Sequence, residues 1–184
     1  VDPLDGTTNF VHGVAFYSVS LCLFDGGIPL VGVVYDPSAD ELFSAALDQG
    51  ARLNGRPIQV SSCNKLQNAL LSTGFAYDLT ANDNTDHVAR LVGRIRDLRR
   101  MGSAALDLSY VACGRFDGYW EYGLEPWDHT AGTLIVREAG GTVTNLIGRP
   151  MRYDYRGIAA SNGLIHAELL ANLAEGRTGL DESD

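Results

Sequence analysis

The sequence predicts an α/β (α+β) fold in which sheets and helices pack as layers. Three observations support this prediction. The chain has 184 residues, of which 45% are hydrophobic, and this is enough for the core of about one domain. Candidate strands are concentrated at the start of the chain, whereas helices alternate with short strands in the second half. Turn sequences rich in Gly, Pro, Asn and Asp separate these segments.

The first half is expected to form an antiparallel meander. One strand is predicted over 15–24, where β-branched and aromatic residues are dense, and its partner over 28–35. The intervening Asp25-Gly26-Gly27 is typical of a hairpin turn. Further strands are predicted at 41–46, 57–60 and 69–73.

In the second half, helices are predicted from apolar residues at helical spacing and from signals at their ends. Pro126 at a helix start and Gly140 beyond its end are typical of helix termini, and Asn162 is expected to cap the last helix. The helices are predicted over 86–96, 104–113, 126–139 and from 162 onward. Short strands between them are predicted at 98–101, 117–122, 142–144 and 157–160.

The charge and the cysteines limit the classes of partner and compartment. The 14 Lys and Arg residues against 23 Asp and Glu give a formal net charge of −9. Nucleic acids and anionic membranes are bound through clustered cations, so we expect neither as a partner. The longest nearly apolar run, 14–24, is too short to span a bilayer. Three scattered cysteines without a CxxC pair favour a reducing, cytoplasmic location.

The most distinctive local feature is Asp2-Pro3-Leu4-Asp5-Gly6-Thr7-Thr8. Pro3 fixes one φ angle and Gly6 permits a tight backbone, so both carboxylates and a carbonyl between them can point the same way. Such hard oxygen ligands suit Mg²⁺. If Gly6 and Thr7 open a helical turn, their N–H groups can hold a phosphate. From these residues alone, an ordinary turn with a capping Asp explains the stretch at least as well.

Three further segments carry candidate site residues. Asp128, within WDHTAG at 127–132, is either a third metal carboxylate or a residue that complements a helix dipole. Glu121 on a predicted strand is either an acceptor for the hydroxyls of a polyol or a polar residue facing solvent. Residues 102–104 begin a helix that Ser103 is expected to cap. No serine elbow, Walker A loop or activated cysteine supports other phosphate or acyl chemistry.

Together these segments closely resemble the inositol monophosphatase family. The matching motifs are DPLDGTTNF at 2–10, WDHTAG at 127–132 and REAGG at 137–141, with shorter matches at 32–35, 53–55 and 101–105. The resemblance covers essentially the whole chain. It implies an αβαβα sandwich of the inositol monophosphatase and fructose bisphosphatase type. It also implies a phosphate monoester hydrolase with two to three Mg²⁺ ions, in which a metal-activated water attacks phosphorus in line.

The same resemblance implies a role for each site residue. Asp2 would bridge two metal ions, the Leu4 carbonyl would bind one of them, and Asp5 and Asp128 would hold the second. Thr7 would orient the attacking water and completes a catalytic set with the three carboxylates. The substrate would be bound by the following residues: Asp5, Gly6, Thr7, Gly102, Ser103, Ala104, Glu121 and Asp128.

The family carries two acidic residues upstream of its Asp-Pro-x-Asp motif, and this chain begins at Val1. One of the two binds metal and the other assists the water. We therefore expect a fragment that lacks the N-terminal helices, has an incomplete first metal site and is inactive or very weak by itself. Its single partial domain, 1–184, is expected to comprise an antiparallel part (1–68), an α/β part (69–176) and a flexible tail (177–184).

Within the family, Gly-Thr-Thr-Asn-Phe at 6–10 is most similar to the inositol monophosphatase branch. Inositol 1-phosphate is thus the expected substrate, with histidinol phosphate and fructose 1,6-bisphosphate as alternatives. A partner-binding, transcription-accessory role is another alternative, because an enzyme fold does not prove catalysis. Close carboxylates that repel one another without metal favour retained chemistry. The resemblance also implies a homodimer, whose interface could come from strand residues within 15–47.

Overall fold

The computed structural model describes residues 1–76 and 84–175. Within these residues, two β-sheets and five α-helices form a layered structure. The tail predicted over 177–184 lies outside the described residues. No helix in the two described stretches is long and apolar enough to cross a membrane.

The first sheet is an antiparallel meander of six strands in chain order. Its strands are β1 (Asp2–Asp5), β2 (Ser18–Asp25), β3 (Ile28–Asp36), β4 (Glu41–Ala46), β5 (Ala51–Leu53) and β6 (Arg56–Pro57). Helix α1 (Thr7–Val11) connects β1 to β2. The hairpin predicted at Asp25-Gly26-Gly27 is confirmed, with positive φ at both glycines. Strands β1 and β5 were not predicted.

The second sheet is mixed, in the order β10-β11-β9-β7-β8. Its strands are β7 (Leu70–Thr73), β8 (Asp97–Arg99), β9 (Gly118–Glu121), β10 (Thr142–Thr144) and β11 (Ile158–Ser161). Strand β7 pairs in parallel with β8 and β9, whereas β11 is antiparallel to both of its neighbours. The helices of this half are α2 (Thr85–Leu91), α3 (Ala104–Ala112), α4 (Pro126–Glu138) and α5 (His166–Ala174).

Helices α3 and α4 form the layer between the two sheets. Helix α4 packs on β2, β3 and β4, while α3 packs on β9 and β11. The approach of α4 to the first sheet is close, because a Cβ at Gly32 would lie 2.8 Å from the Ala131 carbonyl oxygen. Helices α2 and α5 cover the other face of the second sheet through a cluster that includes Leu71, Trp120 and Leu169. The predicted layered α/β architecture is therefore confirmed.

The structure corrects two helix boundaries. The last helix begins at His166 rather than at 162, because the Asn162 side chain accepts hydrogen bonds from the Leu164 and Ile165 N–H groups in a turn before the helix. Helix α2 ends at Leu91 rather than at 96. The chain has already turned toward the sheet there, and the Arg96 N–H donates to the Ala69 carbonyl.

Candidate active site

A cleft of about 330 Å³ opens where β1, the start of α3, the end of β9 and the start of α4 meet. All the predicted site residues except Ser103 line this cleft, and Ser103 lies beside it in contact with Asp5. The lining residues are Asp2, Leu4, Asp5, Gly6, Thr7, Thr8, Phe75, Arg100, Gly102, Ala104, Glu121, Leu124, Trp127 and Asp128. Four segments that are distant in sequence thus converge on one cavity.

The Asp2–Thr7 stretch is a strand followed by a helix, joined at one glycine. Strand β1 lies at the sheet edge, where Pro3 costs no ladder hydrogen bond. Gly6 has a φ of 86°, and a Cβ there would lie 3.0 Å from the Phe16 carbonyl oxygen, so this turn requires glycine. Thr7 Oγ1 donates to the Leu4 carbonyl at 2.9 Å. The Leu4 carbonyl oxygen keeps a second lone pair.

Asp2 and Asp5 are each held by donors on one carboxylate oxygen. The Leu4 N–H donates to Asp2 Oδ1 at 3.0 Å. Asp5 Oδ2 accepts from Ser103 Oγ at 2.6 Å and from the Ala105 N–H at 2.9 Å. Because both of these bonds fall on Oδ2, Asp5 Oδ1 is left available as a ligand. Ser103 is the N-cap of α3, as predicted, and the same hydroxyl holds Asp5.

Asp128 is positioned by the start of α4. Pro126 is the first residue of this helix, as predicted, and Glu125 is its N-cap. Asp128 and Glu125 form a capping box in which Asp128 Oδ2 accepts from the Glu125 N–H at 2.8 Å. The helix-terminal role considered for Asp128 is therefore present. This role uses one oxygen of the Asp128 carboxylate and leaves the other oxygen available as a ligand.

Burial makes this group of carboxylates costly to charge. Burial and, to a smaller extent, the Asp2 charge raise the pKa of Asp5 to about 6, against the hydrogen bonds from Ser103 and Ala105. Burial likewise raises the pKa of Asp128 to about 6, with smaller contributions from Asp5 and Asp2. The three carboxylates are therefore close enough to repel one another.

The donor chemistry of these residues fits a divalent cation held in an open site. Carboxylate and carbonyl oxygens are hard ligands, and a cation would neutralise the repulsion between the carboxylates. Across 1–76 and 84–175, no three His, Cys, Asp or Glu side chains form a ligand set by themselves. Mg²⁺ suits such a partial set, since it binds to proteins through one or two carboxylates and takes its other ligands from water and phosphate.

Glu121 lies across the cleft at the end of β9. Its Oε2 accepts a hydrogen bond from the Tyr119 hydroxyl. Burial raises the pKa of Glu121 to about 7, which the Tyr119 hydrogen bond and the Arg100 charge oppose. A Cβ at Gly74 would lie 2.0 Å from Glu121 Oε2. The Glu121 carboxylate therefore occupies space that is free only because residue 74 is glycine.

Sequence reasoning missed Gly74, Phe75 and Arg100. None of them belongs to a local motif. Phe75 and Arg100 line the cleft, and Gly74 lies against the Glu121 carboxylate, only through the pairing of β7 with β8 and β9. Arg100 had one usable signal, because it directly precedes the 101–105 segment. Arg100 is the one cationic side chain among the residues that line this cleft in the described structure.

Comparisons with known proteins agree with this architecture. The model of the inositol monophosphatase family matches residues 1–178. The inositol-1-monophosphatase of Synechocystis is 52% identical over 176 residues, which cover 95% of this chain and 61% of that protein. The Nus factor SuhB of Pseudomonas aeruginosa is 44% identical over 178 residues, covering 94% of this chain and 65% of the relative.

A solved structure is similar over the same range. The inositol monophosphatase from Anabaena superposes with a TM-score of 0.90 at 48% identity, covering 93% of this chain and 69% of that one. The chain thus spans less than two thirds of the length of the two relatives above. The family match, the identities and the shared layers lead to one conclusion: this chain belongs to the inositol monophosphatase family.

Proposed function

We propose that this protein is a Mg²⁺-dependent phosphate monoester hydrolase and that inositol 1-phosphate is its substrate. The observation that carries the proposal is the convergence of Asp2, the Leu4 carbonyl, Asp5 and Asp128 on one cleft. In each of the three carboxylates, one oxygen accepts a hydrogen bond that fixes the orientation of the group. Fixed oxygen donors around a cleft are what a metal-assisted reaction requires.

These four residues would hold the metal ions in the proposed site. Bound Mg²⁺ would supply a more acidic water and stabilise charge on the phosphate and the leaving oxygen. The protein's share is to fix the ligands beforehand. Ser103 and the Ala105 N–H hold Asp5, and the Glu125 N–H holds Asp128, so neither carboxylate has to reorganise when the cation binds.

Thr7 and Gly6 act on the reacting groups in this proposal. The Thr7 hydroxyl donates to the Leu4 carbonyl. This bond orients the Thr7 oxygen so that it can accept a hydrogen bond from the attacking water. The left-handed Gly6 turns the chain so that the N–H groups of Gly6 and Thr7 are available to the phosphate. Both contributions are matters of positioning, which dominate phosphoryl transfer.

Glu121 would bind the alcohol part of the substrate. A carboxylate whose other contact is the Tyr119 hydroxyl can accept hydrogen bonds from neighbouring hydroxyls of a polyol ring. An alcohol without further hydroxyls would leave the other Glu121 oxygen without a hydrogen bond from the substrate, at a cost of about 1–3 kcal/mol, or more when the group is charged. This argument supports inositol 1-phosphate. Histidinol phosphate and fructose 1,6-bisphosphate remain alternatives that also carry hydroxyl or polar groups.

A second candidate function is a partner-binding, transcription-accessory role. One observation favours it, namely the 44% identity to a Nus factor of Pseudomonas aeruginosa. Such a role needs no carboxylates in a buried cleft. Substitutions of the site carboxylates therefore distinguish the two functions. Asp128→Asn is expected to abolish hydrolysis and leave partner binding intact if both functions are present.

We also propose that the protein is cytoplasmic and homodimeric. The outer face of the first sheet exposes apolar side chains at Leu21, Leu23, Val31 and Leu42. This face would supply the dimer contact where the N-terminal helices that the family resemblance implies leave it uncovered. The variant Leu23→Lys is expected to yield monomers in light scattering, whereas a lysine at the exposed Leu164 should leave the mass unchanged.

The experiment that tests the enzymatic proposal measures phosphate release by the full-length protein. The substrates are inositol 1-phosphate, histidinol phosphate, fructose 1,6-bisphosphate and 3′-phosphoadenosine 5′-phosphate, each with and without Mg²⁺. Mg²⁺-dependent release that is fastest for inositol 1-phosphate and lost in Asp128→Asn supports the proposal. Preference for another ester keeps the chemistry and changes the substrate. No release from any ester by folded protein refutes the phosphatase and favours the partner-binding role.

A further inference from the structure

Asn9 belongs to the DPLDGTTNF motif, and the proposed function gives it no part. It lies in α1, two residues beyond Thr7, and is half-buried. Its Nδ2 donates to the Phe16 carbonyl and to the Met101 carbonyl, each at 2.8 Å. A side-chain amide carries two N–H donors, so both donors of Asn9 are used. Because both acceptors are main-chain groups, these bonds fix the position of the backbone.

The two carbonyls lie in different halves of the molecule. Phe16 precedes β2 of the first sheet, and its ring is buried in the main core. Met101 follows β8 of the second sheet, 92 residues beyond Asn9 in sequence. Asn9 therefore joins the segment that carries Thr7 to the segment that carries Ser103.

Two glycines bring these segments into direct contact. Gly6 and Gly102 have φ angles of 86° and 91°. A Cβ at Gly6 would lie 3.2 Å from the Gly102 carbonyl oxygen, and a Cβ at Gly102 would lie 3.1 Å from Asn9 Nδ2. The main chains at 6 and 102 thus pack against each other beside the Asn9 amide. A shift of one segment would consequently displace the other.

The Asn9 amide differs in kind from the other polar links at this edge of the cleft. Within the described chain, the other hydrogen bonds between residues 2–12 and residues 100–105 end on Asp5, and they come from Ser103 Oγ and the Ala105 N–H. Asp5 is also a proposed metal ligand, so its carboxylate would be shared with the cation. The amide of Asn9 is neutral, and its two bonds depend on neither a proton nor a metal ion.

We propose that Asn9 is a positioning residue that holds the Gly6-Thr7 turn against the start of α3, so that the groups for the phosphate and the attacking water are in place before they bind. This inference rests on the proposed function and deepens it. Asn9 does not line the cleft, so it acts through Gly6 and Thr7 and not by contact with the substrate. Such preorganisation matters because phosphoryl transfer depends chiefly on positioning.

Two substitutions distinguish this positioning from mere filling of space. Asn9→Ala removes both donors. Asn9→Asp is closer in shape to asparagine, but it directs an acceptor at two carbonyl oxygens, which repel it. We therefore expect Asn9→Asp to be the more damaging variant, whereas a residue that only fills space would show the opposite order.

The matched control is Asn54→Asp in the turn between β5 and β6. Asn54 Nδ2 also donates to a main-chain carbonyl, that of Asp40 at 2.9 Å, and Asn54 lies outside the cleft. The control thus loses the same type of hydrogen bond and gains the same charge.

The experiment measures the binding of two probes to the full-length protein. Mn²⁺ alone is followed by electron paramagnetic resonance, and inorganic phosphate in the presence of Mg²⁺ by isothermal titration calorimetry. Asp2, Asp5 and Asp128 are held by donors other than Asn9, so Mn²⁺ affinity should not fall by more than about twofold in either variant. Phosphate affinity should fall about fivefold in Asn9→Ala and about 20-fold in Asn9→Asp, and Asn54→Asp should bind as wild type.

Four outcomes overturn the proposal. They are equal phosphate affinity in wild type and Asn9→Ala, tighter phosphate binding by Asn9→Asp than by Asn9→Ala, a parallel loss of Mn²⁺ affinity, and folded wild type that binds no phosphate. Turnover is not measured. A protein that binds both probes and hydrolyses no ester would therefore refute the proposed function, while the variants would still decide what Asn9 does.

Discussion

Replacing Asp5 by Asn should stabilise the metal-free protein while it removes a proposed metal ligand. The reason is the burial of Asp5, which raises its pKa from 3.8 to about 6. The folded chain therefore holds a proton that the unfolded chain releases between these two values. The stability of metal-free protein consequently declines as the pH rises through this window, and it is lowest once Asp5 is charged.

The size of the effect follows from the same two pKa values. Each pH unit between them corresponds to about 1.36 kcal/mol, so the charged Asp5 side chain destabilises the fold by about 3 kcal/mol at pH 7. Asn keeps an acceptor for Ser103 and the Ala105 N–H, and the pKa of about 6 already includes what these bonds contribute to the charged form. The expected gain is therefore about 3 kcal/mol, or about 6–12 °C in Tm for a domain of this size.

The assay is thermal unfolding in EDTA at pH 7 and at pH 4, with Asp25→Asn as the control. Asp25 is exposed at the end of β2, so its replacement removes the same charge without relief of burial. We expect Asp5→Asn to unfold at higher temperature than wild type at pH 7 and at nearly the same temperature at pH 4. Added Mg²⁺ should raise the Tm of wild type and not of the variant. A variant less stable than wild type in EDTA at pH 7 would refute the reasoning.

Three further predictions concern residues that support the site and the layers. Gly74→Ala should displace the Glu121 carboxylate and lower kcat/KM for inositol 1-phosphate about 10-fold to 100-fold. Gly93→Ala is the control and should leave kcat/KM unchanged, because a Cβ at Gly93 meets no atom within 4 Å. Ser103→Ala removes an N-cap and a donor to a buried carboxylate, so urea unfolding should show a loss of about 1–3 kcal/mol that Ser103→Thr largely restores. Gly32→Ala should lower the free energy of unfolding by about 2–4 kcal/mol, because its Cβ would press on the backbone of α4; unchanged stability would contradict the close packing of these layers.

Local signals predicted those parts of the fold whose cause is local. The Gly26-Gly27 turn needs positive φ at both residues, and Pro126 fits the first turn of a helix, so both features could be read from a few neighbouring residues. Strand β1 was missed because Pro3 argues against a strand unless the strand is known to lie at an edge. The last helix was predicted to begin too early because Asn162 serves equally well in a turn and in a cap.

The same distinction applies to the site. The Asp2–Thr7 stretch and Asp128 lie in contiguous motifs, and these motifs predicted residues that the structure does bring together. Gly74 could not be predicted, since its importance depends on where the Glu121 carboxylate lies, and β9 is far from it in sequence.

The central claim is that Asp2, Asp5 and Asp128 together bind the cation that hydrolysis needs. Mn²⁺ binding to the full-length protein, followed by electron paramagnetic resonance of the free ion, measures this directly. We expect wild type to bind Mn²⁺ at pH 7.5 and at least tenfold more weakly at pH 5, because the pKa values of Asp5 and Asp128 are about 6 and ligands must be deprotonated. Asp128→Asn should bind at least tenfold more weakly at pH 7.5. Equal affinity in wild type and variant, or affinity independent of pH, would contradict the claim.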